Sequence, residues 1–162
     1  MTLEEEVVAL LREKNLKITT AESCTGGLVA ATLVNVPGVS EYLKEAYITY
    51  SDEAKEKLLG VDPEIIETYT VVSRETAEAM AEGGAKAADS NICVSVTGIA
   101  GPDGGSLDQP VGLVYIGCTL NGETSAKRFV FPGDRQKVRQ QAVKEALCFV
   151  KEKILELNKE AR

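Results

Sequence analysis

The order of periodic segments predicts an α/β fold, a single-domain three-layer α/β/α sandwich around a mixed, mostly parallel sheet that includes one antiparallel hairpin. Three observations carry this expectation. Strand-like alternation and helix-like periodicity take turns along the chain, the pattern of parallel strands joined by crossover helices. Asn121-Gly122 lies between two alternating runs, a two-residue hairpin signal that adds antiparallel neighbours to the sheet. The chain has 162 residues, a length suited to one core, so one domain over residues 1–162 is expected.

Thr2 and Glu5 have the spacing of a capping box, and Leu3, Val7, Leu10 and Leu11 keep a helical period, which predicts a first helix to about Lys14. LKITTA then alternates like a strand. GLVAATLVNV reads as a helix stopped by Pro37-Gly38, and EAYITYS as the next strand, completing a βαβ unit. In SDEAKEKLLG, Ser51 stands as an N-cap, Asp52 and Glu53 sit in the positive first turn, and Gly60 terminates, so the segment is a short helix. Ser73 caps RETAEAMAEGGAKAA, a helix that Gly83-Gly84 weakens. NICVSVTGI is a buried strand running into GPDGG, and PVGLVYIGCTL and ETSAKRFVF flank the hairpin turn. Pro132-Gly133-Asp134 opens a last helix whose Val138, Ala142, Ala146, Phe149, Val150, Ile154 and Leu157 form one apolar stripe.

Composition narrows the function. A formal charge of -7 argues against a nucleic-acid binder, because neutralising phosphates needs clustered Lys and Arg. No stretch approaches the roughly 18 apolar residues of a membrane span, and MTLEEEVVALLREK is acidic and amphipathic, unlike a signal peptide, so a cytoplasmic protein without membrane association is expected. Cys24, Cys93, Cys118 and Cys148 are widely spaced, with no C-x-x-C pair to suggest zinc or redox chemistry. The chain has no histidine, which removes the Ser-His-Asp and Cys-His pairings and the commonest transition-metal ligand. Any hydrolytic base must be something else.

In doubly wound sheets ligands collect at the carboxyl ends of the parallel strands, where AESCTGG, TYSDEAK and VTGIAGPDGG are placed. AESCTGG passes from a strand through a polar turn into a helix, beside free backbone N–H groups and the positive end of the helix dipole. Ser23, Cys24 and Thr25 are nucleophile types at a place that stabilises negative charge; equally, Ser23 or Thr25 serves there as an N-cap. Lys55 opens the short helix after the second strand. A surface lysine is the ordinary reading, but without histidine a buried amine of lowered pKa is a fitting base for a serine hydroxyl. Lys57, on another face of that helix, is the internal control. VTGIAGPDGG is a glycine-dense loop that lets backbone approach a substrate, with Thr97 able to reach the base or nucleophile; it matches neither dinucleotide nor ATP fingerprints. Arg135 and Arg139, at i and i+4, share a helix face suited to a phosphate or carboxylate, or to solvent.

Together, TTAESCTGG, YITYSDEAKEKLLGV, VSVTGIAGPDGG, PVGLVYI and FPGDRQKVRQQA resemble the CinA C-terminal domain family, the nicotinamide mononucleotide deamidases, in order and over nearly the whole chain. The resemblance implies an amidase that converts nicotinamide mononucleotide and water into nicotinic acid mononucleotide and ammonia, in pyridine-nucleotide salvage, with no metal and no cofactor. It places the serine nucleophile on Ser23 and its lysine base on Lys55. The family threonine falls on Thr97, and the tyrosine before the lysine segment on Tyr50. Asp52 departs from the asparagine expected in many members, which alters charge near Lys55. Longer members with an additional N-terminal domain exist, and a chain of the present length is expected to lack it.

On that reading backbone N–H groups from Thr25, Gly26 and Gly27 or from Gly98 hold the oxyanion, and Arg135 and Arg139 hold the substrate phosphate. Cys24 stays open as a rival nucleophile or as a redox sensor, a thiol being the better nucleophile when a cation activates it. A nucleotide-binding module without catalysis, using the same cleft with Lys55 protonated, is the alternative function. The expected partner is a small pyridine mononucleotide, and the apolar surface is compatible with a homodimer.

Overall fold

A computed structural model describes residues 1–160; residues 161 and 162, part of the expected domain, lie outside the described residues. Five strands form one sheet in the order β2-β1-β3-β4-β5. β1 (Ile18–Glu22) pairs in parallel with β2 (Tyr47–Ile48) and with β3 (Ile92–Gly98). β4 (Leu113–Leu120) pairs antiparallel with β3 and with β5 (Glu123–Val130), so β4 alone runs against the others. This is the mixed, mostly parallel sheet expected.

The helices segregate by face because the strands alternate. Ile92, Val94 and Val96 of β3 face a core shared with α1 (Leu3–Lys14), α2 (Leu28–Val34) and α6 (Arg135–Glu160). Cys93 faces the other way, with Ala21, onto Met80 and Ala85 of α5 (Arg74–Ala88) and Leu59 of α3 (Asp52–Leu59). The third helix of that layer, α4 (Pro63–Tyr69), packs on α3 and α5. Two helical layers thus enclose the sheet.

Local chemistry accounts for most boundaries. Thr2 and Glu5 make the reciprocal capping box, and Ser51 and Ser73 accept from the Ala54 and Thr76 N–H groups to start α3 and α5. Asn121 and Gly122 both have positive φ, 50° and 85°, as the two-residue turn between β4 and β5 requires. The stripe on α6 is buried through Ile154, with Leu157 packed at its edge.

Three details differ from expectation. β2 is only Tyr47–Ile48 within the predicted EAYITYS. Thr49 N–H still donates to Glu22 O at 2.8 Å, but the chain then leaves the sheet to bring Ser51 to its capping position. The helix α4 was hidden in a stretch with no apolar stripe; Asp62 caps it and Pro63 occupies its first turn. And Gly83-Gly84 serves packing: a Cβ at Gly83 would lie 1.8 Å from Leu59 O, and one at Gly84 2.5 Å from Cys93 Sγ. Glycine lets α5 approach both α3 and the sheet. Gly83→Ala is therefore expected to destabilise by about 1–3 kcal/mol despite its better helix propensity. A urea midpoint unchanged by the substitution would contradict this contact.

β1 exits into α2 on one face and β2 into α3 on the other. A crevice between the carboxyl ends of these strands follows from that divergence.

Candidate active site

Ser23 follows the last residue of β1, its N–H held by Val96 O at 2.9 Å. The expected helix entry takes an unexpected form. The N-cap of α2 is Gly27, at φ 98°, which has no side chain to cap with. Glu22 supplies the acceptors instead: its Oε1 accepts from Val29 N–H at 2.8 Å and Thr25 Oγ1–H at 2.7 Å. Its Oε2 accepts from Ala30 N–H and Thr20 Oγ1–H, both at 3.0 Å. The carboxylate is wholly buried. Neither Ser23 nor Thr25 caps the helix, so the helix-end amides at Val29 and Ala30 are occupied from within, and the amides left for a ligand belong to the preceding turn.

Lys55 comes from the first turn of α3 and reaches back across the crevice. It is 1 % exposed, the bulkiest fully buried side chain, while Lys57 is exposed. Its Nζ lies 3.3 Å from Ser23 Oγ, 2.7 Å from Thr49 O and 3.5 Å from Ser51 O. Among the described residues no carboxylate forms an ion pair with it. Burial pulls this amine below its ordinary value of 10.5, while the charge of Asp52 and then of Cys24 acts to raise it. Nζ donates in all three contacts, to Ser23 Oγ, Thr49 O and Ser51 O; loss of its proton would free a lone pair to accept from the Ser23 hydroxyl, as a base must.

Ser23, Cys24, Tyr50, Lys55, Thr97 and Gly98 line one cavity of about 200 Å³ together with Asp52, Val71 and Val72. Thr97 Oγ1 donates to Val71 O at 2.8 Å, so its proton is committed to the wall, away from Lys55 and Ser23. Gly98 is required by the close approach of β4, a Cβ there lying 2.6 Å from Val114 Cγ2. The Thr25 hydroxyl is committed to Glu22, and Gly26, at φ 59°, donates its N–H to Ser23 O at 3.0 Å.

The two arginines also have protein partners. Arg135 donates from Nη1 to Gly101 O at 2.7 Å and from Nη2 to Tyr50 Oη at 3.0 Å, tying the glycine loop to the exposed tyrosine. Arg139 donates from Nε to Cys24 O and from Nη2 to Thr25 O, both at 3.0 Å. Arg135 thus meets the cavity through Tyr50, while Arg139 is bound to the main chain of the serine turn, and neither guanidinium lines the cavity itself.

Cys24 is 6 % exposed and belongs to the core under α2 and α6. Burial pushes its thiol up to about 11, the opposite of activation. Cys24→Ala is expected to lose about 1 kcal/mol of stability and to keep any activity within a few-fold. Loss of activity without unfolding would restore the thiol as the nucleophile. Among the described residues no cluster of ligand side chains suits a metal ion, and no helix is long and apolar enough to cross a membrane.

Sequence reasoning missed Glu22, Val71 and Val72. The signal for Glu22 was present: an acidic residue ends a buried strand just before a Gly-Gly helix entry with no capping side chain. The valines carry no such signal, since they follow an irregular turn at Thr70 with φ 73°.

The fold has known counterparts. A solved structure of the competence damage-inducible protein A (ComA) of Klebsiella pneumoniae superposes with a TM-score of 0.91 at 36 % identity, covering 94 % of this chain and 95 % of that one. The competence/damage inducible protein CihA of Agrobacterium tumefaciens superposes with a TM-score of 0.88 at 37 % identity, covering 96 % and 95 %. A CinA-like protein of Kosmotoga olearia is 53 % identical over 156 residues, 96 % of this chain and 38 % of that protein. The chain thus spans well under half the length of the curated relatives it matches. The sequence profile of the CinA C-terminal domain matches residues 1–154, and the chain belongs to that family.

Proposed function

We propose that this domain is an amidohydrolase that deamidates nicotinamide mononucleotide by a serine-lysine mechanism. The observation that carries the reading is the buried Lys55 amine, 3.3 Å from Ser23 Oγ and without an ion-pair partner among the described residues. Keeping an unpaired amine out of water is unfavourable, and a base for a serine hydroxyl is a chemical reason to retain one. The substrate comes from the family resemblance; the cavity supports a small amide group but does not name it.

In the proposed cycle neutral Lys55 takes the hydroxyl proton as Ser23 Oγ bonds to the carboxamide carbon. The resulting oxyanion is held by free N–H groups of the Cys24–Thr25 turn. Collapse breaks the C–N bond, Lys55 returns the proton to the leaving nitrogen, and ammonia departs. Lys55, neutral again, takes a proton from water as its oxygen bonds to the acyl carbon. The second collapse releases Ser23 with that proton and leaves the carboxylic acid product. On this reading Tyr50 and Arg135, joined by their hydrogen bond beside the cavity, meet the part of the substrate beyond the amide, with Arg135 the candidate for the phosphate.

The test is ammonia release from nicotinamide mononucleotide by the wild-type protein, with pyridine product identified by mass. Release of ammonia with nicotinic acid mononucleotide supports the reading. Binding without ammonia would instead make the domain a nucleotide-binding module.

A further inference from the structure

Arg139 touches the serine turn only through carbonyl oxygens, Cys24 O and Thr25 O. Among the described residues it forms no ion pair with a carboxylate. Peptide planarity gives this contact a consequence. The C=O of Cys24 and the N–H of Thr25 belong to one trans unit and point in opposite directions, as do the C=O of Thr25 and the N–H of Gly26. A guanidinium that gathers both carbonyls on its side therefore turns both N–H groups away from itself. The Gly26 N–H is consumed by Ser23 O at 3.0 Å, whereas among the described residues no main-chain carbonyl accepts from the Thr25 N–H. From the other side Glu22 holds the Thr25 hydroxyl at 2.7 Å, so residue 25 is fixed at both its peptide and its side chain.

We propose that Arg139 is a positioning residue that aims the Thr25 N–H at the oxyanion formed when Ser23 Oγ attacks an amide, rather than a ligand for the substrate's phosphate. The inference rests on the amidase reading above and deepens it. A planar fork suits the task, because two of its N–H groups reach adjacent carbonyls at once. A lysine ammonium is a point charge without that fork and cannot hold the two carbonyls in the same geometry.

The experiment compares wild type, Arg139→Lys and Arg139→Gln on nicotinamide mononucleotide and on the same nucleoside without its phosphate. With one aimed donor lost, kcat is expected to fall by about 10²–10³-fold in Arg139→Gln, and by the same factor on both substrates. KM is expected to stay within about threefold, as for an interaction made in the transition state. Arg139→Lys is expected to recover little. A raised KM for the mononucleotide alone, with kcat retained, would make Arg139 a phosphate ligand and overturn the proposal.

A second arm is independent of the pyridine substrate. The rate at which an alkyl fluorophosphonate adds to Ser23, with loss of fluoride, is followed by intact mass, using Ser23→Ala as the blank. Slower labelling of both Arg139 variants, with their thermal transitions preserved, supports the positioning role even if wild type releases no ammonia from the mononucleotide. Labelling at the wild-type rate in the variants, or no labelling of wild type, would overturn it. Arg139 is half-buried at the surface of α6, so its variants are expected to fold.

Discussion

Ser23→Ala is expected to reduce ammonia release from nicotinamide mononucleotide by about 10⁴-fold or more, with substrate binding retained. The size follows from the step that is lost. Without Oγ no acyl-enzyme forms, and the residual rate is what oxyanion donors and binding alone supply to direct attack by water. Folding should be unaffected: the hydroxyl's recorded partner is Lys55, while the Ser23 main chain keeps its bond to Val96 O. Binding measured by calorimetry alongside steady-state rates separates the two outcomes. Turnover within tenfold of wild type would remove serine from the mechanism, about 1.4 kcal/mol being far too small for a lost nucleophile.

Lys55→Met is expected to be as inactive as Ser23→Ala, and Lys55→Arg equally so, because a guanidinium stays protonated and cannot act as base. Wild-type kcat/KM should rise with pH as the Lys55 amine loses its proton and then level off, the inflection lying below the ordinary 10.5. With no histidine in the chain, no imidazole provides a second inflection near neutrality.

The same shift makes a stability prediction of definite sign. The folded pKa of Lys55 lies below its unfolded value, so between the two the unfolded chain binds more protons. Stability from this residue therefore rises with pH across that window and is constant above 10.5 and below the folded value. The stability of Lys55→Met relative to wild type should accordingly decline as pH is raised towards 10.5, read from urea midpoints in a pH series. A difference that does not change with pH would mean that Lys55 is no harder to charge in the fold than in water.

Much of the architecture was legible because it depends on local chemistry. Capping residues, the Asn121-Gly122 turn and the stripe on α6 each state their structure within a few residues, and the tertiary contacts agree with them. Where they were silent the expectation failed. Strand pairing at β2 ends because Ser51 is needed for a cap, and α4 has no buried residue to produce a stripe. Gly83-Gly84 looked like weakness from propensity, since the approach of Leu59 O is a contact between elements far apart in sequence.

The candidate site divides in the same way. The types and order of Ser23, Tyr50, Lys55, Thr97, Gly98 and the two arginines were readable, because chemistry without histidine leaves few alternatives and the motifs are in family order. The partners of those groups were not. Thr97 gives its proton to Val71 O, Arg139 to backbone carbonyls, and Glu22, unremarked in the sequence, holds the helix that a serine or threonine was expected to cap.

By itself, then, the order of residues determined the α/β class, the strand ends that carry polar loops, and which side chains are able to act as nucleophile and base. Only the tertiary structure decided that Lys55 is buried and beside Ser23, that the Cys24 thiol is raised by burial rather than activated, and that the serine turn is held between Glu22 and Arg139. The physical reason is that residue type sets what a group can do within its own few bonds. Dielectric environment, proton state and orientation are set by neighbours that the chain brings back from tens of residues away.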